Sequence, residues 1–210
     1  VIATSGLSVR RGGTELFGGL DLHIEAGQSV RLAGPNGCGK STLLAVFAGL
    51  CTPSAGSVTI AGRDPGDRAV RALRGFLQEP PPLYEHLTTG EQLALVGRLW
   101  GVRKKALLDR AGALGLADRR DVLVGELSLG QRKKLGYVCA TAHEPRLLLL
   151  DEPFNALDPD AVASVTDDLR RRVRDGLTTV LVSHLDTGEP LLIDRTIDLG
   201  ALAPTTGDGE

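Results

Sequence analysis

Eight consecutive residues, Gly34-Pro35-Asn36-Gly37-Cys38-Gly39-Lys40-Ser41, place glycines, a lysine and a hydroxyl at the spacing G-x-x-x-x-G-K-[ST]. Glycines let backbone N–H groups curl round a polyphosphate, and a helix starting at the end of the loop adds the positive end of its dipole. In such a loop Lys40 is a compact charge for the β- and γ-phosphates, Ser41 a hydroxyl for Mg2+, and Thr42 comes within reach of the α-phosphate. A second chemical pair, Asp151-Glu152, closes the run Leu147-Leu148-Leu149-Leu150. Acids at the carboxyl end of a buried parallel strand stand where ligands gather in open α/β sheets. Asp151 is therefore expected to hold Mg2+ with Ser41, and Glu152 to polarise a water that attacks the γ-phosphate. Each feature alone has an ordinary reading, a Gly-rich turn or a strand that ends in acids. Together they predict a nucleoside triphosphate site.

These residues need a scaffold, and the pattern around them supplies one. Residues 29–33 read as a short strand before the loop and 41–50 as a helix after it, followed by a turn at 52–56 and a strand at 57–60. The three prolines 80–82 break regular structure. Helices are then expected at 91–100 and 104–114, and residues 85–145, rich in Leu, Ala, Arg and Lys, read as a helical lobe inserted in an α/β core. Strand character returns at 146–150, where four leucines in a row suit a strand buried on both faces. A helix at 159–174, whose Arg170-Arg171-Arg172 run reads as a solvated face, precedes strands at 178–183 and 195–199.

Composition narrows the classes. The 210 residues are 42% hydrophobic and carry a formal net charge of -2, against a nucleic-acid binder that works by bulk positive charge. Three cysteines are too few for a disulfide framework and suit a reducing compartment. No apolar run approaches the ~20 residues that span a bilayer, and no secretory leader is visible, so a soluble intracellular chain is expected. Aromatics are only 3%, which leaves the core to Leu, Val, Ile and Ala.

Leu127-Ser128-Leu129-Gly130-Gln131 completes a motif order: phosphate loop at 34–41, Gln78 after Gly75-Phe76-Leu77, this pentapeptide, acids at 151–152, Asn155-Ala156-Leu157-Asp158, then His184. In this order the sequence resembles the ATP-binding cassette (ABC) family, whose signature is LSGGQ, over roughly residues 5–200. The resemblance implies a P-loop NTPase core, a mostly parallel sheet flanked by helices with an N-terminal antiparallel β portion. It implies one nucleotide-binding domain over 1–203, with the helical subdomain at about 80–145 and a disordered tail at 204–210. It further implies a head-to-tail dimer, a homodimer or paired cassette, with two ATP molecules at the interface. Each ATP would lie between one subunit's phosphate loop and the other's Ser128, Gly130 and Gln131. Gln78 would touch Mg2+ and the attacking water, His184 would hold the γ-phosphate, and Asp158 would link the two sites.

Two positions depart from the family. Leu129 replaces the first signature glycine, while Gly130 is retained. Arg11 stands where the family stacks adenine on an aromatic ring; its guanidinium plane can stack on the base, with Phe17 a second candidate, and base selectivity is expected to be loose. Cys38 reads as a small residue that fits the loop, Cys51 and Cys139 as small hydrophobes. Residues 78–93, with Leu83, Tyr84 and Leu87, resemble the segment of exporter-type cassettes that receives a separate transmembrane permease. With the short chain, this resembles ABC-2-type and haem-exporter subunits. The expected function is thus the ATP-hydrolysing subunit of a membrane transporter, an exporter, on the cytoplasmic face of the membrane. The competing reading is a soluble ABC ATPase of protein or cluster assembly. Intact Lys40, Asp151, Glu152 and His184 argue against a degenerate module without turnover.

Overall fold

The first two strands, β1 (Ile2–Arg11) and β2 (Thr14–Ile24), turn at Gly12-Gly13, whose φ angles of 58° and 85° a side chain would resist. The elements that follow in the computed structural model, which describes residues 1–183 and 193–202, mix strands and helices. They are β3 (Ser29–Ala33), α1 (Lys40–Phe47), β4 (Ala55–Ile60), α2 (Arg68–Leu73), β5 (Arg74–Leu77), α3 (Thr89–Trp100), α4 (Lys104–Ala111) and α5 (Leu129–Ala140). The chain then continues through β6 (Leu147–Asp151), α6 (Pro159–Arg174), β7 (Thr178–Val182) and β8 (Arg195–Asp198).

Two sheets result. An antiparallel one runs β2-β1-β4, and an all-parallel one runs β5-β6-β7-β3-β8. The chain is α/β, as expected. Every residue of β6 and β7 is buried, and period-2 alternation sorts their side chains. Leu147, Leu149, Val180 and Val182 enter a core shared with α1 and the antiparallel sheet. Leu148, Leu150 and Leu181 point the other way, to Val165 and Leu169 of α6 and to Tyr137 of α5. A third cluster, Leu93, Val96, Leu107, Val124, Leu127 and Leu135, gives the helices between 89 and 140 a core of their own.

Several expectations shift. The helix expected at 91–100 starts at Thr89, because Thr88 and Glu91 form a capping box. The helix expected at 104–114 stops at Ala111; a wider turn takes 112–116, with Gly115 at φ 77°. The short α2 was not expected at all. The helix after the signature, α5, has Lys133, Leu135, Gly136, Tyr137 and Val138 all buried, because it is wedged between the helical cluster and the sheet. The Arg170–Arg172 run is not simply a solvated face either. Arg172 is buried and paired with Glu144 and Asp168. His184 and the tail at 204–210 lie outside the described residues.

Candidate functional site

The loop after β3 feeds α1 through Gly39, which sits at φ 98° with no side-chain cap on the helix and no acid in its first turn. Among the described residues no side chain caps this first turn, which suits a helix-end anion site. Gly39 is required sterically as well, since a Cβ there would stand 2.9 Å from the ring of Phe17. Phe17 is fully buried beneath the loop, so its candidacy as a base-stacking ring is withdrawn. Lys40 curls back over the loop, its Nζ donating to the carbonyls of Gly34 (2.8 Å) and Pro35 (2.9 Å). Cys38 is buried below it.

Ser41 Oγ donates to Asp151 Oδ1 at 3.0 Å, joining helix α1 to the end of β6 across 110 positions of sequence. Burial pushes the Asp151 carboxyl up, while the Ser41 hydrogen bond and the charges of Lys133 and Lys40 pull it back. A carboxylate beside a hydroxyl is a hard-oxygen pair suited to Mg2+, which takes one or two protein oxygens and completes its shell with water and phosphate. Among the described residues no group of three or more His, Cys, Asp or Glu could hold a metal ion. Glu152 follows at φ 47°, in the left-handed region that non-glycine residues avoid. Its N–H donates to Val182 O at 3.0 Å. The pairing Leu77↔Leu150 brings the half-buried Gln78 level with Asp151, one strand over.

A cleft of about 510 Å³ is lined by Arg11, Leu16, Asn36, Gly37, Gly39, Lys40, Ser41, Thr42, Glu152, Asn155 and Val182; Asp151 and Gln78 are not among its lining residues. Gly34, Pro35 and Cys38 do not line it; the Gly34 and Pro35 carbonyls accept from Lys40 and Cys38 is buried. Ser128, Gly130, Gln131 and Asp158 do not line it. Ser128 Oγ accepts from the N–H of Gln131 while Gln131 Oε1 accepts from the N–H of Ser128, a capping box for α5. Gly130 lies on the carbonyl of Ala156, where a Cβ would come within 2.5 Å. Asp158 Oδ1 accepts from the N–H of Ala161 and caps α6. Leu129 is exposed at the first turn of α5. Burial raises the Cys139 thiol to about 12, in keeping with a small hydrophobe.

Sequence reasoning missed Lys133. Its side chain is 1% exposed, its Nζ donates to the Glu152 carbonyl at 2.9 Å, and it pairs with the carboxylate of Glu79. Standing between Arg132 and Lys134, it carries no mark in the sequence that separates it from a solvated basic face. Asn155, within the expected motif order, was not singled out as a cleft residue.

Residues 17–155 match the ABC transporter family. The sulfate/thiosulfate import ATP-binding protein CysA of Bordetella bronchiseptica is 40% identical over 216 residues, covering 95% of this chain and 59% of that protein. The lantibiotic transport ATP-binding protein SrtF of Streptococcus pyogenes is 31% identical over 170 residues, covering 81% and 74%. A solved ATP-binding subunit of an ABC transporter superposes with a TM-score of 0.84 at 27% identity, over 95% of this chain and 87% of that one. The chain thus spans 59% of the length of its CysA relative. With the phosphate loop and the paired acids both inside the matched region and drawn together by the fold, the chain belongs to the ABC transporter family of ATP-binding cassettes.

Proposed function

We propose that the chain is the ATP-binding and ATP-hydrolysing subunit of an ABC membrane transporter. One nucleotide-binding domain over 1–203, with its helical lobe at 80–145, would work as a head-to-tail dimer that drives separate transmembrane subunits from the cytoplasmic face of the membrane. The observation that carries this reading is the Ser41–Asp151 hydrogen bond, which sets the phosphate loop, Lys40 and Glu152 around one cleft.

In this reading the N–H groups of residues 37–42 take the phosphates, and the Lys40 ammonium exchanges the Gly34 and Pro35 carbonyls for β- and γ-phosphate oxygens. Held by Ser41, Asp151 and Gln78, Mg2+ would supply charge neutralisation on those oxygens. Glu152 orients a water and accepts its proton as that water attacks in line. The signature residues stand outside this chain's own cleft, which supports their serving the ATP of a second copy. There the partner subunit's Ser128 and Gly130 would meet the γ-phosphate, with Gln131 holding the cap and Asp158 linking the sites. His184 is proposed to hold the γ-phosphate on the motif order alone.

Tyr84 is exposed between two grooves, one of about 280 Å³ with Pro82, Leu83, Leu99 and Trp100, the other of about 540 Å³ with His86, Leu87 and Arg98. We assign these to a segment of the permease. Among the described residues no helix is long and apolar enough to cross a membrane, so the spanning part would come from another chain or another region. Export is the direction supported by the segment at 78–93, whereas the Bordetella relative carries "import" in its name. ATP-driven cargo movement in inside-out vesicles decides between them.

Glu152→Gln should keep ATP binding, lower turnover by about 10²–10⁴-fold and accumulate an ATP-dependent dimer in size-exclusion chromatography. Normal turnover in that variant removes Glu152 from its role. A pull-down from detergent-solubilised membranes should recover a polytopic membrane protein; a soluble partner alone would point to an assembly ATPase.

A further inference from the structure

We infer that Lys133 is a positioning residue: from the signature helix it holds the backbone of Glu152 and the segment after Gln78 in one fixed relation, so that the hydrolytic carboxylate cannot shift independently of either. The inference rests on the ATPase reading above and deepens it.

Three observations converge. A lysine that is 1% exposed is rare, because a buried ammonium needs partners. Here it has two, and both belong to the site: the Glu152 carbonyl at 2.9 Å and the Glu79 carboxylate, one residue beyond Gln78. Glu152 itself occupies a backbone conformation that an unsupported residue leaves, at φ 47°. Its N–H is tied to Val182 O and its carbonyl accepts from Lys133 and, at 3.3 Å, from the N–H of Asn155. The peptide on which the Glu152 side chain hangs is thus fixed from β7 and from α5 together. One turn further along the same helix, Gly136 lies so close to Pro81 that a Cβ would meet it at 2.7 Å. The helix grips the segment after Gln78 at two points, by charge at Glu79 and by contact at Pro81.

Energetics favour a positioning role over a stabilising one. Burial lowers the Lys133 ammonium, and the carboxylates of Asp151 and Glu152 only partly restore it. A buried ion pair is commonly no more stable than an apolar pair of the same size. What it does supply is direction, since a hydrogen bond from a charged donor fixes a carbonyl more strictly than packing can.

The test compares Lys133→Met, Glu79→Gln and the double variant with the unaltered chain. Misplacing the base by about 1 Å costs on the order of 10²-fold, so Lys133→Met should lower kcat by about that factor while KM for ATP stays within about twofold. The melting temperature should not fall in the double variant, where no carboxylate is left without its partner. The double variant should be no slower than Lys133→Met, because both changes break one linkage. Combined with Glu152→Gln, Lys133→Met should still allow the ATP-dependent dimer. An unchanged kcat, a KM that rises in step with the loss, or a dimer abolished in the combined variant would each overturn the inference. Absence of turnover in the unaltered chain would instead overturn the ATPase reading on which it stands.

Discussion

Arg11 ends β1 at the mouth of the phosphate cleft, exposed, and none of the described residues lining that cleft is aromatic. A guanidinium plane stacks on any purine with little regard to its exocyclic groups. ATP and GTP should accordingly be turned over with kcat/KM values within about tenfold of each other, and Arg11→Ala should weaken both by about two- to fivefold. A selective loss for one base, read by competition binding, would contradict stacking by Arg11. The loop and the acids were legible in the sequence because each is a contiguous string whose chemistry needs nothing from afar. Phe17 and Lys133 were not. Whether a ring at 17 faces ligand or core, and whether a lysine among basic neighbours faces water or a carbonyl, depends on what packs over it. That is decided by Gly39 in one case and by the wedged position of α5 in the other.

Between elements, a charged knot ties α6 to α5 and to the turn after it. Tyr137 Oη donates to Asp168 Oδ2 at 2.7 Å, Arg172 Nε donates to the same oxygen at 2.8 Å, Arg171 pairs with the other oxygen, and Arg172 also reaches Glu144. Arg110 of α4 joins through the carbonyl and hydroxyl of Thr141. Burial by itself pushes the Asp168 carboxyl up, yet the hydrogen bonds from Arg172 and Tyr137 leave it below its ordinary value. An acid lowered on folding stabilises the fold above its unfolded value, near 4, and loses that contribution as pH falls through the lower folded value. Thermal unfolding should therefore show stability declining below about pH 4, with a shallower decline in Asp168→Asn. At neutral pH that variant should lose about 2 kcal/mol, or about 4–8 °C for a chain of this size. The i,i+4 spacing of Asp168 and Arg172 was visible in the sequence, but the burial of Arg172 was not, because it comes from α5 and Glu144 closing over it. Boundaries at 111 and 89 moved for local reasons, a glycine at positive φ and a capping box.

At the scale of the whole molecule, the cleft draws on the loop after β3, the end of β6 and the tip of the antiparallel sheet, so a ligand that fills it braces all three. ATP with Mg2+ at about 100 times its Kd should add about 2.7 kcal/mol to stability, a rise of about 5–10 °C in melting temperature that Lys40→Ala should abolish. The order of strands has a further consequence. β3, which carries the phosphate loop, lies between β7 and β8, and the N–H of Gly27 just before it donates to Thr178 Oγ1, 151 positions later in the chain. A ribosome needs roughly 8–30 s to cover that interval. Throughout it the strand that leads into the loop is without either of its neighbours, β7 and β8. ATP capture should therefore follow the emergence and pairing of β7 and β8 with β3, which ties it to a step far later than the synthesis of the loop itself.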